Sequence, residues 1–214
     1  ALAQAALSAA TPQIRHAATI GGNLCQRPRC WYFRSLDFHC TRKGGSPCYA
    51  IDGENQYHAI FGNQDGCVIV HPSATAVALM ALGAKLKIVS EKASREISID
   101  EFFVTPAQDI TREHVLKNDE LITEIIIPPQ AKGSTNYFYK QKEKQSVDWS
   151  VAEAAVHLTM DGKNCTKAKI VLGAAAPVPW RIVKAEAVLQ NQIITKEIAR
   201  KAAEEAMKEA TPLS

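Results

Sequence analysis

The sequence predicts an α+β fold in two lobes, on three observations. Capped apolar helical stretches alternate with short β-branched runs up to about residue 127, a Pro128-Pro129 pair interrupts the pattern, and strands joined by tight turns then lead into two closing helices. The division places one domain at residues 1–130 and a second at 136–214.

The elements follow in order. Residues 1–7 read as the end of an Ala-rich helix rather than a signal peptide, because they lack a basic leader, and without an initiator Met the chain reads as a fragment or a processed product. An apolar run at 67–70 reads as a strand. Behind it Ser73 is the expected N-cap of a helix that turns Val77, Met80 and Ala81 inward and stops at Gly83. Residues 85–90 and 95–99 form an expected hairpin, 100–104 one helical turn, and 121–127 a strand ended by the prolines. Strands are expected at 136–142, 151–160 and 166–174, the last two joined by Asp161-Gly162. Helices close the chain near 180–189 and from Thr195 to about 210.

At 214 residues, with 46% apolar and 22% charged residues, the chain can bury a sizeable core. The net charge of +3 is spread along the chain and gives no basic block that argues for nucleic acid or a lipid surface. No apolar run approaches the roughly 18 residues needed to span a bilayer.

The stretch from Gly21 to Cys40, GGNLCQRPRCWYFRSLDFHC, carries the chemistry. Gly21 and Gly22 let the backbone approach a ligand, and Asn23 adds a hydrogen-bonding side chain. Cys25, Cys30, Cys40, Cys48 and Cys67 crowd the first third while Cys165 stands apart, so a local centre is favoured over long-range disulfides. No Cys-x-x-Cys pair occurs, and the spacing Cys30-x9-Cys40-x7-Cys48-x18-Cys67 is loose for a zinc ribbon. Spacing alone leaves an iron-sulfur cluster level with inert or redox thiols, and a four-cysteine zinc module behind both. The intervening segment is turn-rich, a length of loop that usually needs an organiser. Arg27, Arg29, Arg34, Arg42 and Lys43 would offset a cluster's negative charge, although each one alone reads first as a solvated surface residue. Trp31, Tyr32 and Phe33 read first as core packing and second as a partner-facing patch. The six histidines show no ligand spacing and read as structural or surface groups.

Several motifs together carry a resemblance. ATIGGNL at 18–24, His71-Pro72-Ser73 leading into MALGAKL at 80–86, Phe102-Phe103, the run 120–128 and Tyr139-Lys140-Gln141 resemble, in that order, the FAD-binding subunit of the molybdenum hydroxylases, the family of xanthine dehydrogenase, carbon monoxide dehydrogenase and aldehyde oxidoreductase. The thiol-bearing insert resembles the branch with 4-hydroxybenzoyl-CoA reductase, whose flavin subunit carries an extra 4Fe-4S cluster. The resemblance implies the C-terminal lobe of a vanillyl-alcohol-oxidase-type FAD-binding domain followed by a carbon monoxide dehydrogenase flavoprotein C-terminal-like domain, the latter matched by 172–177 and Trp180-Arg181. It places the family's first FAD loop ahead of Ala1, and Ala74 where the family commonly has an Asp.

Implied FAD contacts are Thr19, Gly21, Gly22, Asn23, Ile122 and Lys140; implied cluster ligands are Cys30, Cys40, Cys48 and Cys67, not Cys25 or Cys165. No residue is expected to act as a catalytic acid or base. The implied activity is electron transfer through FAD and a 4Fe-4S cluster from a molybdopterin-binding large subunit, by way of a 2Fe-2S small subunit, to an external acceptor. The implied compartment is the cytoplasm, with exported members also known in that branch. The rival is a zinc-binding structural module without redox activity.

Overall fold

The computed structural model describes residues 1–144 and 146–213. Four short helices open the chain: α1 (Leu2–Ser8), α2 (Pro12–Ala17), α3 (Ile20–Leu24) and α4 (Trp31–Arg34). Each start has a local cause where a cap exists. The Thr11 hydroxyl accepts from the Ile14 N–H with Pro12 at the first helical position, and the Thr19 hydroxyl accepts from the Gly22 N–H. A long irregular segment then leads to α5 (Ala74–Leu82).

Helix α5 begins at Ser73, whose hydroxyl accepts from Ala76 N–H, and ends at Gly83 in the left-handed region (φ 70°). The sequence pattern gave it one inner face, yet all nine of its residues are buried. It is wedged between α1 and α3 on one side and the second sheet on the other, which its small alanine side chains permit. Ser73 is fully buried and also donates to Asn23 Oδ1 at 2.6 Å. Ser73→Ala therefore removes a cap and a tie between α3 and α5 together, and a loss of about 1–2 kcal/mol is expected from urea unfolding.

A three-stranded antiparallel sheet of order β2-β1-β3 follows, built from β1 (Lys85–Val89), β2 (Ser94–Ser98) and β3 (Leu121–Ile126). The expected hairpin is present, with Lys85 opposite Ser98 and Val89 opposite Ser94. The second sheet runs β4-β5-β6-β7, from β4 (Ser134–Lys142), β5 (Ser150–Asp161), β6 (Asn164–Gly173) and β7 (Trp180–Arg181). After α6 (Val183–Leu189), β8 (Gln192–Ile193) pairs with β6, and α7 (Lys196–Met207) starts at its expected Thr195 cap.

Two expectations are corrected. Residues 67–70 form no ladder; the Val68 carbonyl accepts from Ala59 N–H and the His71 N–H donates to Ala176, so the segment is extended but pinned at single points. Trp180 and Arg181 extend the sheet opposite Leu172 and Val171, and the helix begins only at Val183. Trp180 stacks on Phe61 (6.3 Å between ring centroids), a tertiary contact that holds this stretch extended. Both hydrophobic cores draw on residues from each side of the proline pair. Phe138, Ala155 and Val171 join Leu79, Leu86 and Phe102 in one, and Phe61 joins Ile182, Leu189 and Ala202 in the other.

Candidate functional site

The α1–α2 turn, α3, the start of α5 and the β4–β5 pair enclose a groove of about 610 Å³. Thr19, Gly22, Asn23 and Lys140 line it. Gly21 and Ile122 do not. On a helix, adjacent residues point about 100° apart, and here Gly22 faces the groove while Gly21 does not. Gly21 faces back toward Ile122 on β3, where an added Cβ would sit 3.6 Å from Ile122 Cβ, an ordinary contact. At Gly22 it would stand 3.1 Å from the Thr19 hydroxyl, disturbing the α3 cap on the groove side.

Asn23 is fixed by its own carbonyl, which accepts from Ser73 Oγ (2.6 Å) and Thr75 Oγ1 (2.5 Å). Its amide group is the remaining donor. Lys140 is half-buried, its ammonium donating to the Ser8 carbonyl at 3.0 Å, and burial lowers its pKa. Opposite it on β5 lies Glu153, which the sequence reading missed. This carboxyl is 4% exposed and hydrogen-bonded by the Ser150 hydroxyl. It occupies a slot left open by Gly173, where a Cβ would come within 2.6 Å of Glu153 Oε2 and 2.4 Å of Val77 Cγ2. Burial raises its pKa, against the pull of Lys140 and Arg29. A lone acid within the apolar stretch 151–156 was the available signal. Arg29 also lines the groove and lies over the Trp149 ring at 3.3 Å; desolvation lowers its pKa to about 10.

The cysteine-bearing loop folds beside this groove. Cys30, Cys40, Cys48 and Cys67 all line one small cavity of about 10 Å³, with Tyr32, Phe33, Arg42 and His58 in its wall. All six cysteines are free thiols. Cys25 packs against the first core and Cys165 lies in the second, both away from this cavity. Cys48 and Cys67 share a hydrogen bond that lowers the Cys48 pKa to about 6 and raises that of Cys67. The two sulfurs therefore stand within hydrogen-bond reach of each other.

The basic residues are not simply solvated. Arg42 is 3% exposed, donates from Nε to Glu113 at 3.0 Å, and from its two terminal nitrogens to the carbonyls of Ile110 (2.8 Å) and Arg112 (2.7 Å). Arg27 reaches the same Glu113 oxygen at 3.3 Å. Arg34 and Lys43 donate to loop carbonyls at Pro28 and Ser35. Glu113 thus gathers arginines from both sides of the segment 30–40.

Among the described residues no three His, Cys, Asp or Glu side chains form a group that could hold a metal ion. Tetrahedral zinc would draw four sulfurs to within about 3.8 Å of one another. A cluster ligates each thiolate through a different iron. The donor chemistry of four thiols from separate turns fits such a group.

Residues 1–130 match the model of the FAD binding domain in molybdopterin dehydrogenase, and residues 137–214 match the carbon monoxide dehydrogenase flavoprotein C-terminal domain. The chain belongs to the family of FAD-binding subunits of molybdopterin dehydrogenases. It is 33% identical over 192 residues to an aldehyde oxidoreductase FAD-binding subunit of Escherichia coli (strain K12), covering 89% of this chain and 59% of that protein. It is 25% identical to the carbon monoxide dehydrogenase medium chain of Hydrogenophaga pseudoflava, over 96% of this chain and 55% of that one. The Cu,Mo-CO dehydrogenase crystal structure superposes with a TM-score of 0.65 at 25% identity, over 96% of this chain and 55% of that one. The chain thus spans between half and two thirds of the length of these relatives. The α+β fold of this flavoprotein family, as expected from sequence, is the fold observed.

His71 opens the α5 entry of this subunit. Its Nδ1 accepts from the Ser73 N–H (3.3 Å) and its ring meets Phe103 at 4.6 Å. Full burial lowers its pKa from 6.5 to about 3, helped by His114, Arg29 and Arg42. The unfolded chain therefore binds a proton between these values that the folded chain refuses. The contribution of this site to stability is intact above pH 6.5 and is lost as pH falls toward 3. His71→Phe is expected to flatten the fall of stability across this window, by up to about 1.4 kcal/mol per pH unit at the steepest point. Scanning calorimetry at several pH values reads this directly.

No helix among the described residues is long and apolar enough to cross a membrane.

Proposed function

We propose that the complete protein is the FAD and iron-sulfur electron-transfer subunit of a molybdopterin-dependent oxidoreductase. It receives electrons from a molybdopterin-binding large subunit through a 2Fe-2S small subunit and delivers them to an external acceptor. The observation that carries this reading is adjacency: Arg29 lines the groove, and the next residue, Cys30, lines the cavity of four thiols.

In this reading FAD supplies the redox chemistry when bound. The exposed Gly22 backbone and the Thr19 cap bring α3 against the cofactor, and Asn23 offers its amide. Lys140 places a cation where a reduced, anionic flavin is favoured. Gly21 and Ile122 act from behind, by seating α3 on β3. Cys30, Cys40, Cys48 and Cys67 hold a 4Fe-4S cluster. Substrate is chosen on the molybdenum subunit, so no acid or base is required of this chain.

An anaerobic absorption spectrum of the purified protein, with flavin, iron, zinc and acid-labile sulfide analysis, tests the proposal. Flavin bands and a dithionite-bleachable absorbance near ~400 nm with about four irons per chain support it. A colourless protein with one zinc overturns it.

A further inference from the structure

Glu153 is a buried acid that neither the ion pairs of the fold nor the cofactor contacts proposed above employ. Among the described residues three glutamates are buried, Glu113, Glu153 and Glu186. Glu113 and Glu186 each hold an arginine in a direct ion pair, at 3.0 Å and 2.6 Å. Glu153 instead accepts from the Ser150 hydroxyl. The two cations beside it are engaged elsewhere: the Lys140 ammonium donates to the Ser8 carbonyl at 3.0 Å, and the Arg29 guanidinium lies over the Trp149 ring. A buried carboxyl that holds no cation directly is costly, and such groups cluster at functional sites.

Its position on the strand is that of a core side chain. Glu153 lies two residues before Ala155 on β5 and opposite Lys140, which lies two residues after Phe138 on β4, so the pair extends the sheet face that Phe138 and Ala155 turn into the first core. That face emerges into the groove, where Glu153, Lys140, Arg29 and Ser150 all line the wall. The elements behind it bring no charge: Gly173 lies opposite on β6, and Val77 of α5 closes the same slot. Burial raises the Glu153 pKa, and the Ser150 hydroxyl, Lys140 and Arg29 pull against it. Arg15, Arg34 and Asp148 are the other charged groups of the groove wall among the described residues.

This arrangement makes the protonation of Glu153 answer to charge in the groove. With a neutral occupant, two cations and a hydroxyl donor favour the carboxylate. Negative charge arriving in the groove offsets the cations and repels the carboxylate, which favours the acid form. We propose that Glu153 takes up one proton as a flavin in the groove is reduced and gives it back on reoxidation. The inference rests on the flavin-subunit reading and deepens it, by coupling electron uptake to a proton held by this chain. The two electrons arrive by the route proposed above and stay on the flavin; one proton from solvent converts the Glu153 carboxylate to the acid, and no other bond at Glu153 is made or broken.

The test uses the complete protein, with flavin content measured, and follows the flavin bands in spectroelectrochemical titrations at a series of pH values. Glu153→Gln keeps the size of the side chain and an acceptor for Ser150 but is neutral at every pH. On the alkaline side its flavin is expected to be easier to reduce than that of the parent protein, by about tenfold in the equilibrium constant, or about 30 mV for a two-electron couple. On the acid side, where the parent carboxyl is already protonated, the two should converge. Ser150→Ala removes a donor that favours the carboxylate, so it should keep the bend of the parent profile and move it to higher pH. Reduced-minus-oxidised infrared spectra read the proton itself: a protonated-carboxyl band should appear on reduction and be missing in Glu153→Gln. A Gln variant whose potential shifts equally at every pH, or not at all, overturns the role of Glu153 and leaves the flavin reading standing, and so does a carboxyl band that persists in that variant. A complete protein that binds no flavin overturns that reading and this inference with it.

Discussion

Cys48→Ser is expected to strip the protein of its iron. Iron and acid-labile sulfide should fall from about four per chain to below about one, and the absorbance near ~400 nm should disappear while the flavin bands remain. Cys48 shares a hydrogen bond with Cys67 in the wall of the thiol cavity, so its sulfur lies where the cluster would be held. A serine hydroxyl at that point is neither charged at neutral pH nor a soft ligand. Cys25→Ser is the matched control, since Cys25 packs against the first core and does not line the thiol cavity. Iron retained in Cys48→Ser, or lost equally in Cys25→Ser, would refute the assignment of the loop.

The largest loss of stability is expected from Glu113→Ala. It leaves the Arg42 guanidinium buried with two carbonyl partners but no counter-charge, and releases Arg27 as well. Breaking one side of such a pair costs about 3–5 kcal/mol, which for a chain of this size lowers Tm by roughly 10 °C. Glu113→Gln, which keeps an acceptor, should lie between the two. Adding Arg42→Met to Glu113→Ala should recover part of the loss, because the desolvated charge is then gone. Thermal unfolding of the three variants decides this, and equal loss in the single and double variants would show that the ion pair is not what the loop rests on. The hydrogen bond to Cys48 and burial raise the Cys67 pKa, and Arg42 pulls against that rise, so the clasp that holds the loop also acts on its thiols.

The fold was legible where local chemistry is decisive. Ser73 and Gly83 bound α5 as read, Thr195 starts α7, and the β1–β2 and β5–β6 hairpins turn where expected. It was illegible where a distant partner decides. Residues 67–70 carry a strand's composition but find only single backbone partners, and Trp180 leaves the expected helix for Phe61 and the sheet edge.

Residue types and spacing by themselves determined that this chain has a thiol-rich stretch behind a Gly-Gly-Asn motif, and where the helices capped by Ser73 and Thr195 begin, because caps, glycines and cysteine spacing are properties of neighbours along the chain. Only the tertiary structure decided which of the two glycines faces the groove, that Glu153 and Trp149 belong to it, and that Arg42 is a buried clasp rather than a surface charge. Those outcomes depend on helix phase, on the slot left by Gly173 and on Glu113, which lies 71 residues from Arg42 along the chain. Burial and ion pairing are set by what the fold brings together across such distances, and local sequence carries no record of it.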